Sequence, residues 1–159
     1  MKQLFPLFLI ILLSCNMKNN NNINSRKQAC KEIDAIKEIL AYQQECWNNG
    51  DIDGFMKGYW NSKELIFTSL RHKPAYGWKN TLEQYKQSYP TRSSMGTLTF
   101  EILDLQLISN TNATLKGKWN LTRKKDQTNG LFWLDFNKFG ENWLIIKDST
   151  ISFEINTPK

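Results

Sequence analysis

With 159 residues and a formal charge of +6, the chain has room for one domain around one hydrophobic core. Its basic residues are spread along the sequence, and the densest group, Arg123-Lys124-Lys125, falls at an expected hairpin tip, so no nucleic-acid partner is expected. The three cysteines have no zinc-ligand spacing, and neither a phosphate loop nor a metal-ligand cluster is present, so no metal or other cofactor is expected.

The chain begins Met1-Lys2-Gln3, followed by an apolar run from Leu4 to Leu13 and then Ser14-Cys15. A short basic start, a brief apolar stretch and a small residue before the cut are features of a secretory signal. The run is too short to span a bilayer, which takes roughly 20 residues. Leu12-Leu13-Ser14-Cys15 resembles the lipobox of bacterial lipoproteins, whose cysteine takes a diacylglycerol before cleavage. Residues 1–14 are therefore expected to be a signal peptide and Cys15 the lipid attachment site. The protein is expected to be exported and held at a cell-envelope membrane, facing the periplasm or the surface. Residues 15–24 hold six asparagines after Cys15 and have no apolar period, so a flexible tether is expected there.

Beyond the tether, Ser25 to Asn48 reads as a long helix with Ala29, Ile33, Ile36, Leu40 and Trp47 on one stripe. Cys30 and Cys46 both lie on it, about 24 Å apart along the axis, too far for a disulfide. Asn49-Gly50 ends the helix, and Asp51 caps a short second one carrying Ile52, Phe55, Met56 and Tyr59. Glu64 to Leu70 reads as a strand. A loop with His72, Pro74 and Gly77 follows, then a third helix marked by Trp78, Leu82, Tyr85 and Tyr89 and stopped by Pro90.

After Gly96 the apolar period becomes two. Leu98, Phe100 and Ile102 share one face, then Leu103, Leu105 and Leu107 take over, a phase slip that predicts a β-bulge. Ser109 to Asn112 turns the chain into a strand carrying Ala113, Leu115, Gly117, Trp119 and Leu121. Leu131 to Phe139 and Trp143 to Phe153 are joined by Gly140-Glu141, which suits a two-residue hairpin. Helices first and a strand meander last predict an α+β domain spanning residues 25–159.

The run Trp47-Asn48-Asn49-Gly50-Asp51-Ile52-Asp53, the pair Tyr59-Trp60, the Tyr76-Gly77-Trp78 start of the third helix and the four closing strands resemble the nuclear transport factor 2-like superfamily. The resemblance is to its small bacterial branch of unknown function, related to ketosteroid isomerases and polyketide cyclases. It implies three N-terminal helices packed on a strongly curved, mostly antiparallel sheet, a cone-shaped, cystatin-like fold with a pocket at its open end. It also implies a homodimer through the outer sheet face, where Trp133, Asp135 and Phe139 make a mixed surface. Where those isomerases carry a general base, this chain has Thr68 or Ser69; their helix-one tyrosine falls near Gln43, with Tyr42 one step away. Relatives with histidines on the last strands are matched here by Leu131-Phe132 and Ser149. No catalytic base is evident by this comparison.

The candidate ligand-binding residues are Tyr59, Trp60, Trp78, Trp119, Arg123, Trp133 and Asp148. Arg123 continues the face of Trp119 and Leu121; its guanidinium either recognises a carboxylate or phosphate or snorkels out to solvent at the strand end. Asp148, with Gly140-Glu141 as the turn, pairs opposite Trp133; there its carboxyl either has a raised pKa and serves as an acid or base, or is a paired structural charge or an outer-surface residue, and a three-residue turn would flip the register. The expected ligand is small, partly apolar and anionic, bound without turnover. The alternatives are an isomerase, dehydratase or cyclase using Asp148 with Tyr59 or Tyr85, and a dimeric interaction module.

Overall fold

A computed structural model describes residues 13–70 and 72–153; most of the expected signal peptide lies outside the described residues. Helix α1 (Leu13–Asn48) is followed by α2 (Ile52–Phe55), a 3-10 turn at Met56–Gly58, strands β1 (Ile66–Ser69) and β2 (His72–Tyr76), helices α3 (Trp78–Ser88) and α4 (Arg92–Met95), and strands β3 (Thr97–Leu107), β4 (Asn112–Thr122), β5 (Gln127–Phe139) and β6 (Asn142–Ser152). The six strands form one sheet in the order β2-β1-β6-β5-β4-β3. Only the β1–β6 pair is parallel. This is the α+β architecture that the sequence predicts.

Residues expected to form a flexible tether instead continue α1 toward the N-terminus. Nucleating a helix is costly, but extending one already held by packing is not, so a polar tract can prolong a docked helix. The docked part presents Ile36, Leu40, Gln43 and Trp47 to the sheet, each no more than 3% exposed. Asn49-Gly50 stops the helix, with Gly50 at a φ of 81°. Asp51 then caps α2 by accepting the Gly54 amide at 2.7 Å.

Two elements were not expected. Strand β2 occupies the presumed loop; Pro74 is tolerated because β2 is an edge strand. Helix α4 starts with a capping box made by Thr91 and Ser94. The opposite edge, β3, is covered by α1 side chains. Asn48 donates to the Leu98 carbonyl at 3.0 Å and accepts its amide at 2.7 Å, and Gln44 accepts the Phe100 amide at 2.8 Å. These bonds satisfy backbone groups that an open edge would leave for another chain.

Midway along α1, buried Glu32 accepts from Lys138 Nζ at 2.8 Å and Trp143 Nε1 at 2.7 Å. The Lys138 and Trp143 hydrogen bonds hold its carboxyl below the usual range. They fasten α1 to the β5–β6 hairpin. Cys30 is exposed and Cys46 buried, and neither forms a disulfide.

Candidate functional site

The position of the site follows from two bulges. In β3 the register slips between Ile102 and Asp104, where the adjacent apolar residues predict it. In β6 a second slip was not anticipated. Gly140, at a φ of 62°, starts the two-residue turn, and the hairpin pairs Phe139 with Asn142 and Phe136 with Ile145. Continued unchanged, that register would set Asp148 opposite Trp133, as the sequence reading has it. Instead Asp135 pairs with Lys147 and Leu134 with Asp148. One extra residue in β6 turns Asp148 to the inner face.

That face closes a cavity of about 420 Å³. Leu40, Gln43 and Trp47 line it from α1, Gln84, Tyr85 and Ser88 from α3, and Phe55 and Tyr59 from the segment between. The sheet contributes Leu98, Phe100, Trp119, Leu121, Phe132 and Leu134. Its aromatic walls are interlocked: Phe55 and Phe67 each lie 5.3 Å from Tyr85, and Phe100 lies 5.3 Å from Phe132.

Asp148 is 5% exposed. Its Oδ2 accepts from the Tyr59 hydroxyl at 2.7 Å, and that hydroxyl lies 3.4 Å from the Tyr85 hydroxyl. Among the described residues, Asp148 Oδ1 and Gln84 Nε2 are buried side-chain atoms without a hydrogen-bond partner. Burial raises the Asp148 pKa to about 7, with the Tyr59 hydrogen bond pulling the other way. Burial and the neighbouring carboxylate push Tyr59 and Tyr85 well up, so both remain protonated. A carboxyl that is half ionised near neutrality can give or take a proton.

The other sequence candidates separate into two groups. Tyr59, Trp119, Arg123 and Asp148 line the cavity; Trp60, Trp78 and Trp133 do not. Trp60 stacks on Phe139 at 5.1 Å. Trp78 donates to the Met56 carbonyl at 2.9 Å. Trp133 is on the outer sheet face, 39% exposed, with Lys116 Nζ 5.7 Å from its ring centroid. Strand alternation sends it outward once Leu134 faces in.

Arg123 reaches the cavity, but its charge is engaged: Nε donates to Asp126 Oδ1 at 2.6 Å. Its other nitrogens lie 3.4 Å from the Ser94 carbonyl and from Thr128 Oγ1. Of Thr68 and Ser69, set by the resemblance against the isomerases' base, Ser69 lines the cavity, and the Thr68 hydroxyl lies 3.0 Å from that of Ser149. Gln43 is in the cavity wall and donates to the Phe55 carbonyl at 3.0 Å, whereas Tyr42 is 43% exposed. Among the described residues, no cluster of histidine, cysteine, aspartate or glutamate could hold a metal ion.

Several polar lining residues, Gln43, Gln84, Ser88, Thr128, Thr150 and Ser152, are not among the sequence candidates, and Gln84 alone of them has a buried side-chain atom without a partner among the described residues. Its signal was the spacing Thr81, Gln84, Tyr85, Ser88, one helical face on which polar residues share the buried side.

No protein-family model matches the chain, and no curated protein matches it. Among solved structures, it is similar to a nuclear transport factor 2-like protein of unknown function from Shewanella oneidensis MR-1. The two are 38% identical, with 76% of this chain and 98% of that one covered at a TM-score of 0.72. A ketosteroid isomerase-like protein from Erwinia carotovora atroseptica SCRI1043 is 15% identical, covers 78% of this chain and 98% of its own, and has a TM-score of 0.66. A domain of unknown function with a cystatin-like fold from Nostoc punctiforme PCC 73102 is 17% identical, with 77% and 78% covered and a TM-score of 0.65. The latter two share the fold; the Shewanella protein shares sequence as well. On that identity and coverage, the chain belongs to the nuclear transport factor 2-like family.

Proposed function

We propose that the cavity takes a small, mainly apolar molecule and that Asp148 exchanges a proton with it, in isomerase- or dehydratase-type chemistry. One observation carries the reading: a buried carboxyl with a pKa of about 7, held at one oxygen by Tyr59 and unpartnered at the other among the described residues. The sequence favoured binding without turnover because it offered no tuned base; Asp148 is the residue that changes the balance. Binding alone stays as the second reading, favoured by Thr68 and Ser149, which face each other as hydroxyls and add no second base.

A test uses 2-tetralone, a compact ketone with acidic α-protons, in deuterated buffer. Saturable α-proton exchange above the buffer rate is expected, with Asp148→Asn lowering it by about 100-fold. Saturable binding with exchange at the buffer rate would contradict catalysis and leave the binding reading.

The proposed setting is an exported lipoprotein held through lipid on Cys15, on the strength of the Leu12-Leu13-Ser14-Cys15 pattern. Cys15→Ala should abolish metabolic labelling by fatty acid. Labelling that persists in the variant would contradict the anchor.

A further inference from the structure

We infer that Gln84 and Asp148 together read the polar head of the ligand, and that this head is an uncharged hydroxyl on an apolar frame. This rests on the cavity being a ligand site and names the class of molecule it selects. Gln84 comes from α3 and Asp148 from β6, both side chains line the same cavity, and each has a buried polar atom without a partner among the described residues. Such atoms are costly to leave unmet, so a bound molecule gains by meeting both.

The charges at the cavity narrow the choice. Asp148 and Arg123 are its charged lining residues, and the Arg123 guanidinium is already held 2.6 Å from Asp126. A carboxylate would therefore meet the ionised Asp148 without a free cation to offset the repulsion. A ketone accepts from Gln84 but gives nothing to the ionised Asp148. An ammonium donates to Asp148 but offers Gln84 no acceptor. A hydroxyl accepts from Gln84 Nε2 while donating to the ionised Asp148, and accepts from both when Asp148 is protonated. The walls of Phe55, Phe100, Phe132 and Leu134 suit the remaining apolar frame. The expected anion preference, drawn from Arg123 alone, is thereby replaced by a preference for neutral alcohols.

Isothermal titration of the whole protein with four matched probes tests this: 2-tetralol, 2-tetralone, tetralin and tetralin-2-carboxylate. The alcohol should bind about tenfold tighter than tetralin and tighter than the carboxylate. Gln84→Leu should erase the alcohol's advantage and leave tetralin binding in place. Wild-type protein gives a second readout. From about pH 6 to about pH 8, 2-tetralone should lose affinity as Asp148 stops donating, and 2-tetralol should not; Tyr59, Tyr85, Tyr89 and Arg123 are the other ionisable groups of the cavity wall, and burial pushes Tyr59 and Tyr85 well up, so both stay neutral over this range. A carboxylate that binds tightest and weakens in Arg123→Ala would overturn the inference. So would an alcohol preference untouched by Gln84→Leu. Tetralin binding without any preference for the alcohol would remove this inference alone, whereas no binding by any probe would remove the ligand site with it.

Discussion

Asp148→Asn should stabilise the protein by about 2–4 kcal/mol near pH 8 and have little effect near pH 4. The carboxyl has an ordinary value of 3.8 and is raised to about 7 by burial in the fold. Below the lower value, both folded and unfolded chains hold the proton. Between the two, only the folded chain holds it, so stability falls as pH rises through this window. Above about 7 the full cost of a buried carboxylate persists. Asparagine does not ionise and removes that slope. Glu32 has the opposite sign: its pKa is lowered, so its contribution is lost as pH falls below the ordinary carboxylate range. Urea unfolding of wild type and variant across this pH range separates the two through their difference. A variant no more stable than wild type at pH 8 would mean that the Asp148 carboxyl is hydrated in the fold.

Gly130→Ala should cost about 3 kcal/mol, because a side chain there has nowhere to go. Gly130 pairs with Trp119 on one side and Ser152 on the other. A Cβ at this position would overlap the Ile151 carbonyl oxygen, which belongs to the neighbouring backbone, and lie 2.8 Å from Trp119 Nε1. Trp119 Nε1 itself donates to the Ile151 carbonyl at 3.2 Å. The substitution therefore forces apart β5 and β6 and displaces the tryptophan that lines the cavity. Thermal unfolding reads the stability loss, and a red shift of tryptophan emission reads the displaced wall. Wild-type stability with unchanged emission would show that the strands close over Gly130 less tightly than this geometry requires.

These two positions show where the sequence is informative. The α1 stripe of Ile36, Leu40 and Trp47, the Gly50 stop, the Gly140 turn and the β3 bulge all leave marks in hydrophobic phase or turn chemistry. The β3 bulge is visible because Ile102 and Leu103 are adjacent apolar residues on a strand that otherwise alternates. The β6 bulge is hidden for a chemical reason. Beyond it, the inner face carries Asp148, Thr150 and Ser152, while Ile151 and Phe153 occupy the alternate positions. Polar residues facing a cavity break the rule that apolar residues point inward, so alternation indicates the wrong face. For the same reason alternation turns Trp133 toward the cavity, whereas in the fold it lies on the outer face. Arg123 follows the end of β4, and its partner Asp126 lies three residues away in the turn, where only the folded hairpin brings the two together.

Carbon-13 NMR of aspartate-labelled protein measures directly whether Asp148 changes protonation near neutrality inside the cavity, with its carboxyl resonance assigned by its loss in Asp148→Asn. The resonance should titrate with a midpoint at about 7 and shift when 2-tetralol is added at constant pH. A midpoint in the ordinary carboxylate range, near 3.8, unmoved by any of the four tetralin probes, would contradict both the tuned carboxyl and the site built around it.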